Sequence, residues 1–258
     1  LNNQFSLNAK TIDDAWFQTL YHILDVDENG KFIYAYPTGM IQQGSFMNEQ
    51  SRLQFPSYNV CIEYPLFDRI VTIPEGSNVP APVGIEEAEE YFQHYIFGTE
   101  LKENETYTYG SRLNVSLQYV MDMLLKTPIT NQAVIEIAQP EDTFKCIGND
   151  GKLDPPCARL VDFKVIPMYI ENYVNGKYIE THLDKVLSKL DMHVYFRSWD
   201  LYGGMPANLY GMSRLQETVS EYIGVPVGKM YAYSSGLHLY RFQKELAEMR
   251  TKLKSGDY

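Results

Sequence analysis

A chain of 258 residues is long enough to bury a sizeable core, which predicts one domain over 1–258 that needs no disulfide framework. Its formal net charge of -11 argues against a general polyanion binder and hence against a nucleic-acid partner, while a small phosphorylated ligand held by a few local arginines stays open. The hydrophobic share of 45% is ordinary for a globular protein; no apolar run is long enough to span a bilayer and no secretory leader pattern opens the chain, so no membrane partner is expected.

In chain order, the first element is a helix over 11–24, with Ala15, Leu20 and Ile23 among its apolar positions. Asp27, Glu28, Asn29 and Gly30 read as a turn, followed by a strand-like stretch over 32–36 and an alternating strand over 58–64. Residues 74–84, rich in Pro and Gly, read as a surface loop. Helical spacing resumes over 85–97 and over 115–125, and 133–138 is a strand candidate. Residues 146–156 are polar, with Gly148, Gly151 and two prolines, and read as an exposed loop. Strands follow over 160–166 and 190–196; in the second, Leu190, Met192, Val194 and Phe196 share one face by the two-residue period. Leu209, Met212, Leu215, Val219 and Tyr222 recur at three- and four-residue steps and predict a helix over 209–223. A strand over 229–234 and a helix over 239–253 complete the series. Strands and helices mix without the regular alternation of a doubly wound fold, so the class expected is α+β.

Common signatures are missing. P-loop, GxGxxG, HExxH and CxxC patterns do not occur, and the five histidines show no metal-ligand spacing with the cysteines, so no metal is expected. Three cysteines, Cys61, Cys146 and Cys157, lack a repeating spacing and fit a reducing, cytoplasmic setting. Cys157 stands apart by its context: Pro155 and Pro156 fix the backbone ahead of a thiol that opens a strand. Arg159, two residues on, is expected on the same strand face, where its charge would stabilise a thiolate. Taken alone, such a cysteine reads far more often as a small buried hydrophobe. A second constellation runs from Tyr195 to Asn208. A strand ends in Arg197 and Ser198, a cation and a hydroxyl suited to a phosphate, and Gly203, Gly204 and Pro206 shape a turn before a helix that begins near Asn208. Its structural alternative is an ion pair between Arg197 and Asp200, with Asn208 as a helix cap.

Pro155-Pro156-Cys157, Arg197-Ser198-x-Asp200, Gly204-x-Pro206-x-Asn208 and Gly236-Leu237-His238-Leu239-Tyr240 stand in the order and spacing of thymidylate synthases, and the chain resembles that family over 154–241. The likeness continues more loosely through Tyr107 to Arg112 and Thr130 to Ile135, and the wording looks most like the shorter, archaeal-type branch.

The resemblance implies a mixed central sheet flanked by helices, and a homodimer. It implies a Cys157 thiolate that adds to C6 of a uracil ring, with 5,10-methylenetetrahydrofolate (or a related reduced pterin) as cosubstrate. Arg197 and Ser198 match the phosphate ligands, Asn208 the amide that reads the pyrimidine edge, and His238 and Tyr240 the ligands of the sugar hydroxyl. Asp200 matches the carboxylate of the cosubstrate site, beside Gly204, and Tyr109 a tyrosine near the reacting ring. A glutamate that organises proton transfer is expected in the helix before Gly98; Glu90 is the choice, with Glu86, Glu87 and Glu89 as competitors. Asn208 tilts the substrate towards dUMP rather than dCMP.

The departures from the pattern are specific. Asn131 and Gln132 stand where many members carry an Arg-Arg pair that grips the phosphate across the dimer; Arg52, Arg112 and Arg159 are the candidates to compensate. Ala158 replaces a histidine, Phe196 replaces a glutamine, and the sequence reaches Tyr258 without an apolar tail to exclude water. The activity implied is methylation of dUMP to dTMP. Hydroxymethylation of dUMP or dCMP is the alternative on the same site, and an inactive nucleotide-binding homologue the alternative of another class.

Overall fold

The computed structural model describes residues 4–39, 51–103, 105–142, 155–174, 177–185 and 187–255. Its elements begin with β1 (Phe5–Ala9), α1 (Ile12–Ile23), β2 (Tyr36–Gly39), β3 (Ser51–Gln54), β4 (Tyr58–Ile62) and α2 (Ile85–Tyr91). A π-helical turn (Phe92–Phe97), α3 (Tyr109–Lys126), β5 (Val134–Glu136), β6 (Ala158–Ile166), β7 (Tyr169–Val174) and β8 (Lys177–Leu183) follow. Then come β9 (Lys189–Phe196), β10 (Trp199–Asp200), α4 (Gly204–Ile223), β11 (Val227–Ser234), β12 (Leu237–Tyr240) and α5 (Lys244–Thr251).

The large sheet has six strands in the order β1-β4-β11-β9-β6-β5. β1 runs parallel to β4 and β11 parallel to β9, while the other pairs are antiparallel, so the sheet is mixed. Leu190, Met192, Val194 and Phe196 of β9 are all fully buried, as their alternation predicts. They face the apolar stripe of α4, where Leu209, Met212, Leu215 and Val219 are equally buried. α1 lies on β4 and α4, and α3 on β5 and α4. A second sheet, β10-β12-β3-β2, sits at the end of this core, and β7 and β8 form a separate hairpin. The architecture is α+β with a mixed central sheet, as expected.

Local chemistry explains most boundaries. Thr11 caps α1, its side chain accepting the Asp14 amide, with Asp13 and Asp14 at the positive helix end. Thr108 and Ser111 cap α3 reciprocally, so that helix starts six residues before the predicted 115. Three other expectations are corrected. The helix predicted from 209 begins at Gly204, because the Asp200 carboxylate accepts the first amides and Pro206 lies in the first turn, where no amide is needed. The helix predicted from 239 is the strand β12 followed by a tight turn over Arg241–Gln243 and the shorter α5. The stretch 32–36 contributes one bridge, Val26 to Phe32, and its strand begins only at Tyr36. The predicted loop over 146–156, with Cys146, lies outside the described residues up to 154.

Candidate active site

Cys157 sits half-buried immediately before β6. Its carbonyl accepts the Arg197 amide at 2.9 Å, which ties the start of β6 to the end of β9. The β6–β9 register slips between Ala158 and Leu160, and such a bulge re-aims a strand. Arg159, two residues on, donates to the Pro156 carbonyl at 3.4 Å, in the loop that carries Cys157. Arg197 approaches the same loop from the other side, its Nη2 donating to the Pro155 carbonyl at 2.5 Å.

A wall of tyrosines faces the thiol. Tyr91 closes α2 and Tyr95 lies in the π-helical turn, their rings stacked at 5.4 Å. Tyr109 opens α3, edge-on to Tyr95 at 5.0 Å and stacked on Tyr107 at 6.1 Å. Gly110 permits this, since a Cβ there would fall 2.2 Å from the Gly98 carbonyl oxygen. The Tyr109 hydroxyl accepts the Ala158 amide at 3.1 Å. Burial first, then neighbouring phenols and Cys157, push Tyr91, Tyr107 and Tyr109 far above the usual phenol range. All three are neutral hydrogen-bonding groups, Tyr109 buried and Tyr91 and Tyr107 half-buried.

Glu90 is not part of this wall. Its side chain is 74% exposed and pairs at 3.4 Å with Lys102. Glu86 and Glu87 are also exposed, and Glu89 accepts from Tyr210 and Gln93. The residue that α2 directs inward is Tyr91, because one step along a helix turns a side chain by about 100°.

The start of α4 supplies the next groups. Asp200 Oδ1 accepts the Tyr202 amide at 3.2 Å, and Oδ2 accepts from Gly203, Gly204 and Gln243. Burial raises its pKa, opposed by these donated amides. Asn208, one turn into α4, does not cap a helix. Trp199 Nε1 donates to its Oδ1 at 2.9 Å, and its Nδ2 donates to the Tyr91 hydroxyl at 2.6 Å.

β12 completes the arrangement. A Cβ on Gly236 would lie 2.7 Å from the Arg197 carbonyl oxygen, so glycine lets this turn pack against Arg197 and Ser198. His238 is 1% exposed and donates through Nδ1 to the Gly236 carbonyl at 2.7 Å. Burial, then the Arg52 charge, lower its pKa to about 4, so the ring is neutral near pH 7 and Nε2 carries the lone pair. Arg52 Nη1 lies 3.5 Å from that nitrogen. Arg52, on β3, is buried, and bonds to Tyr240; burial and the nearby Arg197 charge both disfavour its own charge. Tyr240 in turn lies within electrostatic reach of Cys157 and Asp200.

Cys157, Tyr109, Arg197, Ser198, Asp200, Gly204, Asn208, His238 and Tyr240 therefore gather where β6, β9 and β12 meet α3 and α4, and Glu90 alone of the expected residues stands apart. Sequence reasoning missed Tyr91 and Trp199. The only available signal for Tyr91 was its four-residue spacing from Tyr95, matched by Tyr107 and Tyr109 across the turn.

A half-buried cysteine, a cationic and hydroxyl pair, and an oriented amide thus lie in one region of the fold. A family model for thymidylate synthase matches residues 93–256, well over half of the chain, and the chain belongs to that family of methyltransferase-type enzymes. Two archaeal relatives carry the name "Putative thymidylate synthase". The protein from Methanosarcina mazei is 29% identical over 260 residues, covering 96% of this chain and 97% of the relative. That from Methanosarcina acetivorans is 30% identical over 250 residues, covering 94% and 92%. A deoxyuridylate hydroxymethyltransferase of Bacillus phage SP01 is 36% identical over 125 residues, 48% of this chain and 27% of its own length.

Proposed function

We propose that the protein is a thymidylate synthase, converting dUMP to dTMP with methylenetetrahydrofolate, and that Cys157 is its nucleophile. The observation that carries this reading is that Arg197 is tied by its amide to the Cys157 carbonyl at 2.9 Å, while Asn208 bonds at 2.6 Å to Tyr91, which lies within electrostatic reach of Cys157. Cys157 adds its sulfur to C6, which makes C5 a nucleophile; C5 bonds to the one-carbon unit and then loses its proton. Reduction of the transferred carbon gives the methyl group, and expulsion of the Cys157 sulfur from C6 restores the ring.

Each neighbouring group has a task. Arg197 and Ser198 hold the phosphate, and Arg52 is the cation that supplements them. Arg52 lies within electrostatic reach of Arg197, whereas Arg112 is engaged by Asp142 at 2.9 Å. His238 and Tyr240 are assigned to the sugar hydroxyl, with the His238 Nε2 lone pair turned towards Arg52 at 3.5 Å. Tyr109 positions the thiol through the Ala158 amide.

The reduced folate supplies the one-carbon unit and the hydride. Asp200 fits its pterin: Oδ1 accepts one amide and keeps a second lone pair for a ring N–H, and Gly204 allows close packing there, since its Cβ position lies 3.1 Å from Asp200 Cβ. The one domain, cytoplasmic, acts as a homodimer. The outer face of the large sheet supports that assembly: His193 stacks on Tyr231 at 4.6 Å in a half-buried aromatic surface suited to a second copy.

A second reading is favoured by one observation, the likeness to the phage hydroxymethyltransferase over 125 residues. Water would then replace hydride on the transferred carbon. Purified protein given dUMP or dCMP with methylenetetrahydrofolate separates the cases. Thymidylate with dihydrofolate is expected; a hydroxymethyl nucleotide with tetrahydrofolate identifies the hydroxymethylase, and binding without product an inactive homologue.

A further inference from the structure

We propose that Trp199 sets the choice of uracil over cytosine by locking the amide of Asn208 in one orientation. The inference rests on the reading that Asn208 meets the pyrimidine edge, and concerns what holds that amide. An indole N–H can only donate, so the Asn208 atom 2.9 Å from Trp199 Nε1 must be the oxygen. The nitrogen then faces Tyr91, whose hydroxyl accepts at 2.6 Å. Turning the amide over would set two N–H donors against each other at that distance.

Tyr91 exerts no such preference, because a phenol hydroxyl donates or accepts equally well. Trp199 is also the more rigid partner. It is 1% exposed, stacks on Phe196 at 4.3 Å with ring planes 9° apart, and meets Tyr58 edge-on at 6.3 Å. Its backbone amide is held by the Gly236 carbonyl at 3.0 Å. Phe196, where a glutamine is usual in the family pattern, thus acts as the platform under the indole.

With one lone pair given to Trp199 and one N–H to Tyr91, Asn208 keeps one acceptor and one donor for a ligand. A ring fixed by Cys157 at C6 and by its phosphate presents positions 3 and 4 in a set order. Uracil offers a donor at N3 and an acceptor at O4; cytosine offers an acceptor at N3 and a donor on the exocyclic nitrogen. The two bases need opposite orientations of the same amide, and Trp199 permits one.

Calorimetric titration of dUMP and dCMP into wild-type, Trp199→Phe, Tyr91→Phe and Asn208→Ala proteins tests this. Trp199→Phe keeps an aromatic ring and removes the N–H. It should reduce the dUMP-to-dCMP affinity ratio roughly 5- to 100-fold, the range for a mismatched bidentate amide contact, mainly through tighter dCMP binding. Tyr91→Phe should weaken both ligands together and keep the ratio. If Asn208→Ala loses the discrimination and Trp199→Phe retains it, the lock is wrong while the site reading stands. If Asn208→Ala leaves it intact, or wild type binds neither nucleotide, both fail. Should Trp199→Phe not fold, benzothienylalanine placed at 199, with sulfur in place of the N–H, must give the same loss of ratio; an unchanged ratio overturns the proposal.

Discussion

The Tyr109 hydroxyl accepts the Ala158 amide at 3.1 Å, so the first turn of α3 holds the backbone one residue beyond Cys157. Tyr109→Phe leaves that buried amide without its acceptor. A loss of about 1–3 kcal/mol in stability is expected. Turnover should drop at least tenfold or so, because a reacting atom loses its alignment. Denaturant titration and steady-state kinetics check this; a drop in nucleotide affinity alone would point to substrate binding instead.

Asp200 is the acceptor for the start of α4, taking amides from Tyr202, Gly203 and Gly204. Asp200→Ala exposes that cluster of donors without partners, at a cost of roughly 1–3 kcal/mol. In a chain of this size the melting temperature should fall by about 3–10 °C. An unchanged melting temperature would mean that solvent replaces the carboxylate at no cost.

Neutral His238 makes stability depend on pH with a defined sign. Its folded pKa of about 4 lies below the ordinary 6.5, so as pH falls through 6.5 the unfolded chain gains a proton that the native ring refuses. This contribution is complete above pH 6.5, shrinks as pH falls towards 4, and levels off below. Between pH 7 and 5 the wild type should lose about 2 kcal/mol more than His238→Gln. Equal losses in the two proteins would show that the imidazole titrates normally.

Gly236 brings β12 against the Arg197 carbonyl, with 2.7 Å available where a Cβ would stand. Gly236→Ala must push the Arg197–Ser198 backbone away, and atoms of a backbone do not yield as a flexible side chain does. Nucleotide affinity should fall by about tenfold, corresponding to ~1.4 kcal/mol. Affinity equal to wild type in titration would contradict the close packing.

The parts of this molecule legible from its sequence are those set by local pattern. The alternation of Leu190, Met192, Val194 and Phe196 marks β9, and the three- and four-residue steps from Leu209 mark α4, because one face of each is buried. β12 shows no alternation: Leu237, His238 and Leu239 are all buried, since partners on β3 and β10 enclose it. That enclosure is a long-range fact, so the segment reads as helix. The proposed nucleophile and phosphate groups rest on linked motifs. Tyr91 was hidden behind Glu90, as only the helix rotation decides which of two neighbours faces inward. The bulge after Ala158 comes from the pairing of β6 with β9 and has no local signal.

The central claim is that Cys157 bonds to C6 of the pyrimidine. A nucleotide with fluorine at C5 lacks the proton that must leave, so its adduct should persist. Intact and peptide mass spectrometry after incubation with 5-fluoro-dUMP and methylenetetrahydrofolate should find the added mass on the peptide containing Cys157, and none in Cys157→Ala. An adduct that survives in Cys157→Ala, or turnover undiminished by that substitution, would contradict the account.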